Sequence, residues 1–280
     1  MRKLSMEVLG AAALALAALA ACGPDQRPST GDDDGTDAGT SDADNTPPPD
    51  AAVMTFVYAH TSSQLYKVDP DTLGVTLVGN FTFVGGGGDQ ITDLAIDQTG
   101  LMIGISFTSV YRIDPATAAC TRLSEDLTAT FNGLSFVPAS EIGQTGPDIL
   151  VATRNANGVV SRIDPTTGNA TQVGNMGAFS SSGDLVSIAG FGTVQTADNG
   201  ASPDRLVRLA PSSFAASPIG NNIGYGDIWG IAYWKGKIFG FTEAGQFITI
   251  DPTSGVGTLV QGNGPRWWGA AVTTLAPVFE

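Results

Sequence analysis

A five-residue phrase recurs along the sequence and constrains the fold more strongly than any other feature. Each copy alternates apolar and polar residues and ends in a turn-forming pair, Asp-Pro in four copies and Ala-Pro in one. The copies are Tyr66-Lys67-Val68-Asp69-Pro70, Tyr111-Arg112-Ile113-Asp114-Pro115, Ser161-Arg162-Ile163-Asp164-Pro165, Val207-Arg208-Leu209-Ala210-Pro211 and Ile248-Thr249-Ile250-Asp251-Pro252. They are spaced by about 40 to 50 residues, a period typical of repeated small β-sheets.

A second phrase lies between successive copies of the first. Its clear copies are Asp93-Leu94-Ala95-Ile96, Gly133-Leu134-Ser135-Phe136, Gly230-Ile231-Ala232-Tyr233 and Gly269-Ala270-Ala271-Val272, with a weaker one at Ser187-Ile188-Ala189-Gly190. Each unit therefore holds several short strand-like runs, and no segment with a helical period fits between them. We predict an all-β protein whose units are the blades of a β-propeller.

The residues after each Asp-Pro pair predict a tight hairpin turn. In the third unit, Asp164 can accept hydrogen bonds from the backbone that follows it, and Pro165 presets the backbone angle of the turn. Gly168 is suited to the left-handed position at the end of the turn. The Asp-Pro-x-Thr-Gly segment is therefore expected to connect two antiparallel strands.

The number of strands predicts how the ring closes. The first unit begins with Thr55-Phe56-Val57-Tyr58, which matches the second strand of later units, so this unit lacks a first strand. The run from Trp268 to Thr273 matches a first strand and has no later strands to join. We predict that it completes the first blade, which gives five four-stranded blades over residues 53–280 with one-plus-three closure.

The repeats resemble those of the YVTN, NHL and gluconolactonase-like propellers, in which a strand ends in Ile/Val-Asp-Pro-x-Thr-Gly. The resemblance implies a fold and no particular activity. Metal-dependent lactonases of the gluconolactonase-like group place Glu, Asn and Asp at strand starts around the channel, and by that resemblance Asp93, Asn132, Asp184 and Asp227 are candidate ligands for Ca²⁺. Against this, none of the four is Glu, Asp93 is out of register with Asp184 and Asp227, and such residues also form ordinary turns.

The first 22 residues predict export and lipidation. Arg2 and Lys3 precede an apolar stretch of the length found in signal peptides, which is too short to span a bilayer. The segment Leu19-Ala20-Ala21-Cys22 resembles the bacterial lipobox, in which the Cys accepts the lipid. Cys22 would then anchor the protein to a membrane through fatty acyl chains such as palmitate. By the same resemblance, Gly23 favours transport to the outer membrane.

Residues 23–52 predict a disordered linker. This stretch holds eight Asp and a run of three Pro but almost no residues that could form a core. Since Cys22 would carry lipid, Cys120 has no partner for a disulfide and is expected to be a small buried hydrophobic residue.

The charge balance disfavours two kinds of partner. The chain has 13 Lys and Arg against 27 Asp and Glu, a formal net charge of -14. So acidic a chain is poorly suited to bind nucleic acid or an anionic membrane surface.

The aromatic residues suggest a binding site. All four Trp lie between positions 229 and 268, and Trp229 and Trp268 occupy equivalent places in neighbouring units. The loops that enter the first strands should converge at one mouth of the channel, so Trp229, Trp267, Trp268 and Tyr225 are candidates to stack on a sugar ring or a peptide side chain. The alternative is that these side chains pack between blades. His60, the single histidine, is expected in a loop of the first blade on the same side.

These observations favour a surface-anchored lipoprotein whose propeller is a non-catalytic binding or scaffolding module for an unknown protein, peptide or carbohydrate. No cofactor is required for this role. The alternative is a metal-dependent hydrolase or lactonase acting at the channel mouth. A stoichiometric divalent ion in the purified protein would favour this alternative.

Overall fold

The computed structural model describes residues 56–198 and 203–279. The predicted signal peptide (1–22), with Cys22, and the predicted linker (23–52) lie outside these residues. Within the described ranges there is no helix long and apolar enough to cross a membrane.

The described chain forms short strands and one 3-10 helix, Ala139–Ile142. The strands are β1 (Val57–His60), β2 (Gln64–Val68), β3 (Val75–Asn80), β4 (Thr82–Phe83), β5 (Asp93–Ile96), β6 (Met102–Ile105), β7 (Val110–Ile113), β8 (Ala119–Ser124), β9 (Gly133–Val137), β10 (Ile149–Thr153), β11 (Val159–Ile163), β12 (Ala170–Asn175), β13 (Ser180–Ile188), β14 (Gly192–Asp198), β15 (Arg205–Leu209), β16 (Ala216–Ile219), β17 (Ile228–Trp234), β18 (Lys237–Thr242), β19 (Phe247–Ile250), β20 (Gly257–Gln261) and β21 (Gly269–Ala271).

The strands form the five blades of a β-propeller, as the repeats predict. Blade 1 contains β21-β1-β2-β3 in that order, blade 3 contains β9 to β12, blade 4 contains β13 to β16, and blade 5 contains β17 to β20. Blade 2 contains β5 to β8 and gains a fifth strand, because β4 pairs in parallel with β8. The repeats do not predict β4.

Blade 1 closes the ring in the predicted one-plus-three manner. The last strand, β21, pairs antiparallel with β1, with Tyr58 opposite Ala271 and His60 opposite Gly269. The innermost strands β5, β9, β13, β17 and β21 contact one another in a closed circle around the channel axis.

The Asp-Pro hairpins form as predicted, with one difference at their ends. In the third blade, Asp164 Oδ1 accepts hydrogen bonds from the backbone N–H groups of Thr166 (2.8 Å) and Thr167 (3.2 Å). These bonds lower the pKa of the Asp164 carboxyl. Gly168 ends that turn with φ 74°, but non-glycine residues adopt the same left-handed conformation in three other hairpins. They are Leu73, Ala118 and Phe214.

The register of blade 4 differs from the sequence alignment. The weaker copy of the second phrase was assigned to Ser187-Ile188-Ala189-Gly190, whereas β13 begins seven positions earlier, at Ser180. The pairing of β13 with β14 shifts register between Ser181 and Leu185. This irregularity places Asp184, rather than Ser187, at the level of Asp93, so the assigned register of blade 4 is wrong.

A tail after β21 crosses the end of the axis at which the inner strands finish. The Thr273 hydroxyl donates to the Asp97 carbonyl of blade 2, and the Thr274 hydroxyl donates to the Asp148 carboxylate of blade 3. The Thr274 carbonyl accepts from Ala189 of blade 4, and the Val278 carbonyl accepts from the Tyr233 hydroxyl of blade 5. The tail therefore joins all four other blades on the face opposite to the inner-strand starts.

Candidate functional site

A cleft of about 360 Å³ lies where the inner strands start. Most of its lining comes from the segments that enter these strands, as the sequence predicts, and two further residues come from hairpin tips. The lining residues are Thr92, Phe107, Phe131, Asn132, Asn155, Ser182, Trp229, Arg266 and Trp268. Its volume is at the lower end of the range of about 300–1,000 Å³ found for small-molecule sites.

Two indoles from neighbouring blades form one wall of the cleft. The rings of Trp229 and Trp268 meet edge to face, with centroids 6.3 Å apart. Trp229 lies at a register shift in the pairing of β17 with β18, between Ile228 and Gly230. Such a bulge re-aims the side chain of the extra residue. Trp268 precedes β21, and its N–H donates to the His60 carbonyl at 2.8 Å.

Phe107 extends this aromatic wall from a hairpin tip between β6 and β7. Its ring lies 6.5 Å from Trp268 in an edge-to-face arrangement, and half of the residue is exposed. Phe107, and Asn155 in the next blade, are not among the predicted site residues, because those candidates come from the loops that enter first strands. Hairpins between second and third strands open on the same face, and this signal could have found both residues.

The one charged side chain among the lining residues is paired. The Arg266 guanidinium lies over the Trp229 ring, 5.4 Å from its centroid, and forms an ion pair with the Glu243 carboxylate. This pair holds the guanidinium against the indole and balances its charge. The cleft therefore offers aromatic faces and neutral polar groups rather than a net charge.

Polar atoms at the base of the cleft have unused hydrogen-bonding capacity. The Asn132 amide nitrogen donates to the Ser181 carbonyl at 3.2 Å, which fixes the side chain. Asn132 Oδ1 is buried and accepts no hydrogen bond from any described residue. Burial raises the pKa of the neighbouring Asp204 carboxyl, and the Ser182 hydroxyl opposes part of that rise without reaching hydrogen-bond geometry.

Below this base, Asp184 ties three inner strands together. Its Oδ1 accepts hydrogen bonds from the N–H groups of Leu185 (2.6 Å) and Leu134 (3.4 Å), and its Oδ2 accepts from the N–H of Ile231 (2.9 Å). Asp93 Oδ1 accepts from Leu94 at 2.8 Å in the same manner. Both carboxyl groups are completely buried.

The two carboxyl groups favour different protonation states. Burial raises the pKa of both, and repulsion from Asp184 raises the pKa of Asp93 further. Three N–H donors favour the ionised form of Asp184, while Asp93 Oδ2 has no donor among the described residues. Of the two carboxyl groups, Asp93 is therefore the one that favours the protonated form.

His60 lies beside this pair rather than in a surface loop, so its expected position is wrong. It is the last residue of β1 and is completely buried. Its Nδ1 contacts the Thr61 carbonyl at 2.8 Å, which identifies Nδ1 as the protonated nitrogen. Burial lowers the pKa of His60 to about 4.

The four candidate metal ligands do not form one site. Asp93 and Asp184 lie together, buried at the axis of the ring, whereas Asn132 lines the cleft. Asp227 lies near a different carboxylate, that of Asp204. No group of three or more His, Cys, Asp or Glu side chains in residues 56–198 and 203–279 has the arrangement of a metal site. The inferred misregister of Asp93 and Asp184 is wrong, because each carboxyl accepts the N–H of the residue that follows it and the two groups lie close enough to repel each other.

The other aromatic candidates lie away from the cleft. Trp267 is 2% exposed and packs edge to face against Tyr66 (5.2 Å) and Phe241 (5.3 Å). Tyr225 packs against the core of blades 4 and 5. Neither lines the cleft, so the packing alternative describes these two residues, while Trp229 and Trp268 have the predicted location. Cys120 is buried, which raises the pKa of its thiol to about 12.

Comparison with known proteins supports the fold. No protein-family model matches the chain, and no curated protein matches its sequence. A chain in a crystal structure of a nidogen/laminin complex is similar, with a TM-score of 0.53 and 9% identity over 77% of this chain and 97% of that chain. A structural genomics protein of unknown function from Bacteroides thetaiotaomicron VPI-5482 has a TM-score of 0.49 and 13% identity, covering 75% of this chain and 56% of that chain. The first likeness agrees with the β-propeller fold seen in the blades.

Proposed function

We propose that the protein is a lipid-anchored, non-catalytic binding module that takes its ligand in the cleft at the start of the inner strands. In this proposal Cys22 holds the exported chain on the bacterial outer membrane, on the cell surface or the periplasmic face. The linker gives the propeller reach from that anchor.

The aromatic wall of the cleft is the observation that carries this proposal. Trp229 and Trp268 present amphipathic rings beside neutral polar groups, which is the composition of a recognition site. The lining residues include no carboxylate, imidazole or thiol, so the cleft lacks the usual general bases and nucleophiles apart from hydroxyls. The carboxyl pair below the base is completely buried and already bonded to the backbone.

The proposal is tested with the full-length protein, purified in detergent and applied to one array of short peptides and one of oligosaccharides. We expect binding that Trp268→Ala weakens by about tenfold or more. Thr167→Ala, in a hairpin on the opposite face, is the matched control and should leave binding unchanged. Binding that survives Trp229→Ala and Trp268→Ala, or no binding to either array, would contradict the proposal.

Thermal unfolding of the same variants separates recognition from packing. If the two indoles were wedges in the core, their removal would cost about 3–5 kcal/mol, as is usual for Trp→Ala in a core. Both indoles are only partly buried, which predicts a smaller loss of stability together with the loss of binding.

A further inference from the structure

We propose that the ligand of this cleft is a neutral carbohydrate, which stacks one ring face on the indole wall while its hydroxyls bond to the base. This inference rests on the proposed function and specifies its ligand. It depends on three properties of the cleft: the unpaired polar atoms at its base, the absence of net charge, and the shape of its wall.

The base of the cleft requires a hydrogen-bond donor. Because the Asn132 amide nitrogen is held by the Ser181 carbonyl, its Oδ1 cannot turn away to find a partner. A buried acceptor without a donor is unfavourable, and a bound group that brings a donor to it would remove that cost. The Ser182 hydroxyl, which belongs to the same lining, can both donate and accept. A ligand group that also does both, such as a sugar hydroxyl, suits this pair.

The charge of the cleft favours an uncharged ligand. Arg266 is the one ionised residue of the lining, and Glu243 already balances it. The buried Asp184 carboxylate below the base and the chain's net charge of -14 both disfavour an anion. A cation would compete with Arg266 for the face of Trp229.

The wall suits a flat ring with an apolar face. Trp229, Trp268 and Phe107 form a continuous edge-to-face series, in which each indole edge leaves part of a neighbouring ring accessible. A pyranose ring has C–H groups on its flat faces and hydroxyls around its rim, so it meets the wall and the base together. A volume of about 360 Å³ accommodates one or two such rings.

The test titrates the full-length protein in detergent with neutral mono- and disaccharides, with a uronic acid and with short peptides, following tryptophan fluorescence and heat of binding. We expect a neutral sugar to bind and Asn132→Ala to weaken it by about tenfold, the value of one recovered hydrogen bond. Trp268→Ala should abolish binding, and Trp268→Phe should restore part of it. Asn221→Ala, on an exposed loop residue outside the lining, is the matched control.

Each other result overturns a different statement. If peptides bind in a Trp268-dependent manner and no neutral sugar does, the carbohydrate assignment fails and the binding function stands. If the uronic acid binds more tightly than its neutral counterpart, the charge argument fails. If neutral sugars bind equally to wild type, Asn132→Ala and Trp268→Ala, the cleft is not their site. If no probe binds, the binding function fails as well.

Discussion

The Nε2 atom of His60 lies 3.9 Å from Oδ1 of Asp93, and both side chains are completely buried at the axis of the ring. This distance is short enough for an ion pair. However, burial lowers the pKa of His60 to about 4 and raises the pKa of Asp93. Near neutral pH the imidazole is therefore neutral, and the raised pKa of Asp93 favours the neutral form of its carboxyl. Two neutral groups avoid the large desolvation cost of a buried ion pair.

This state predicts an unusual titration of His60. As the chain's one histidine, it gives an unambiguous ring signal in nuclear magnetic resonance. We expect the ring to stay neutral as the pH falls through 6.5 and to titrate only near pH 4. The unfolded chain binds the proton first, so the stability that His60 contributes is lost between pH 6.5 and 4, by up to about 3 kcal/mol. A midpoint above 6.5 would instead identify an ion pair with Asp93.

The two axial carboxyl groups should respond differently to amide substitution. Asp93→Asn keeps an acceptor for the Leu94 N–H and supplies a donor in place of the Asp93 proton, so we expect a loss below about 1 kcal/mol. Asp184→Asn leaves one oxygen for three N–H groups and should lose about 3 kcal/mol. Urea unfolding at pH 7 measures both. Equal losses would show that the proton is not confined to Asp93.

Asp204 predicts a second pH effect of opposite sign. Burial raises its pKa to about 6, although its Oδ2 accepts the Ile228 N–H at 2.9 Å. The folded state thus holds a proton that the unfolded state releases, and stability from this group falls as the pH rises from about 4 to 6. Asp204→Asn should remove that loss and be more stable than wild type at pH 7, by up to about 3 kcal/mol. Unfolding curves at pH 4 and 7 test this, with the exposed Asp126→Asn as control.

The sequence predicts the blades and their closure because both depend on local patterns that repeat. A few neighbouring residues determine each turn and each alternating strand. The same pattern occurs in five copies, so each copy supports the assignment of the others. The axial cluster could not be derived in this way. His60, Asp93 and Asp184 come from three blades, and the irregular stretch of β13 between Ser181 and Leu185 hides the equivalence of Asp184 with Asp93.

The cleft is an intermediate case. The converging loops correctly place Trp229 and Trp268, but a run of two tryptophans does not reveal which one faces solvent. Trp267 points into the core between Tyr66 and Phe241, whereas Trp268, one residue later, points to the opposite side of the chain. Successive side chains of an extended chain point to opposite sides, which explains why the two neighbouring tryptophans differ.

Removal of the closing strand should unfold the ring. A chain that ends after Gly264 lacks β21 and the tail, so β1 loses its hydrogen-bonded neighbour and the other blades lose the contacts of Thr273 and Thr274. We expect a loss of several kcal/mol from a typical total of about 5–15 kcal/mol. Leu275→Ser, at an exposed position of the tail, serves as control. Equal melting of truncated and complete chains would refute this mode of closure.

The anchor is tested by metabolic labelling. If Cys22 is the lipid acceptor, radioactive palmitate should label the wild-type protein and not Cys22→Ala, which also should retain its signal peptide. Cys120→Ala is the matched control, because that thiol is buried in the described structure. Equal labelling of wild type and Cys22→Ala would exclude lipidation at this residue.

The pairing of β21 with β1 also sets the order in which the molecule can be assembled. The ribosome makes β1 first, yet the edge that β21 covers stays open until nearly the whole propeller has been synthesised. Contacts between such distant segments form slowly, and an open strand edge can pair with another chain in the meantime. Blade 1 is therefore the last to be completed, and a second molecule's β21 can take the vacant place. We therefore expect crowded nascent chains to exchange their final strands and form swapped dimers more readily than dilute ones.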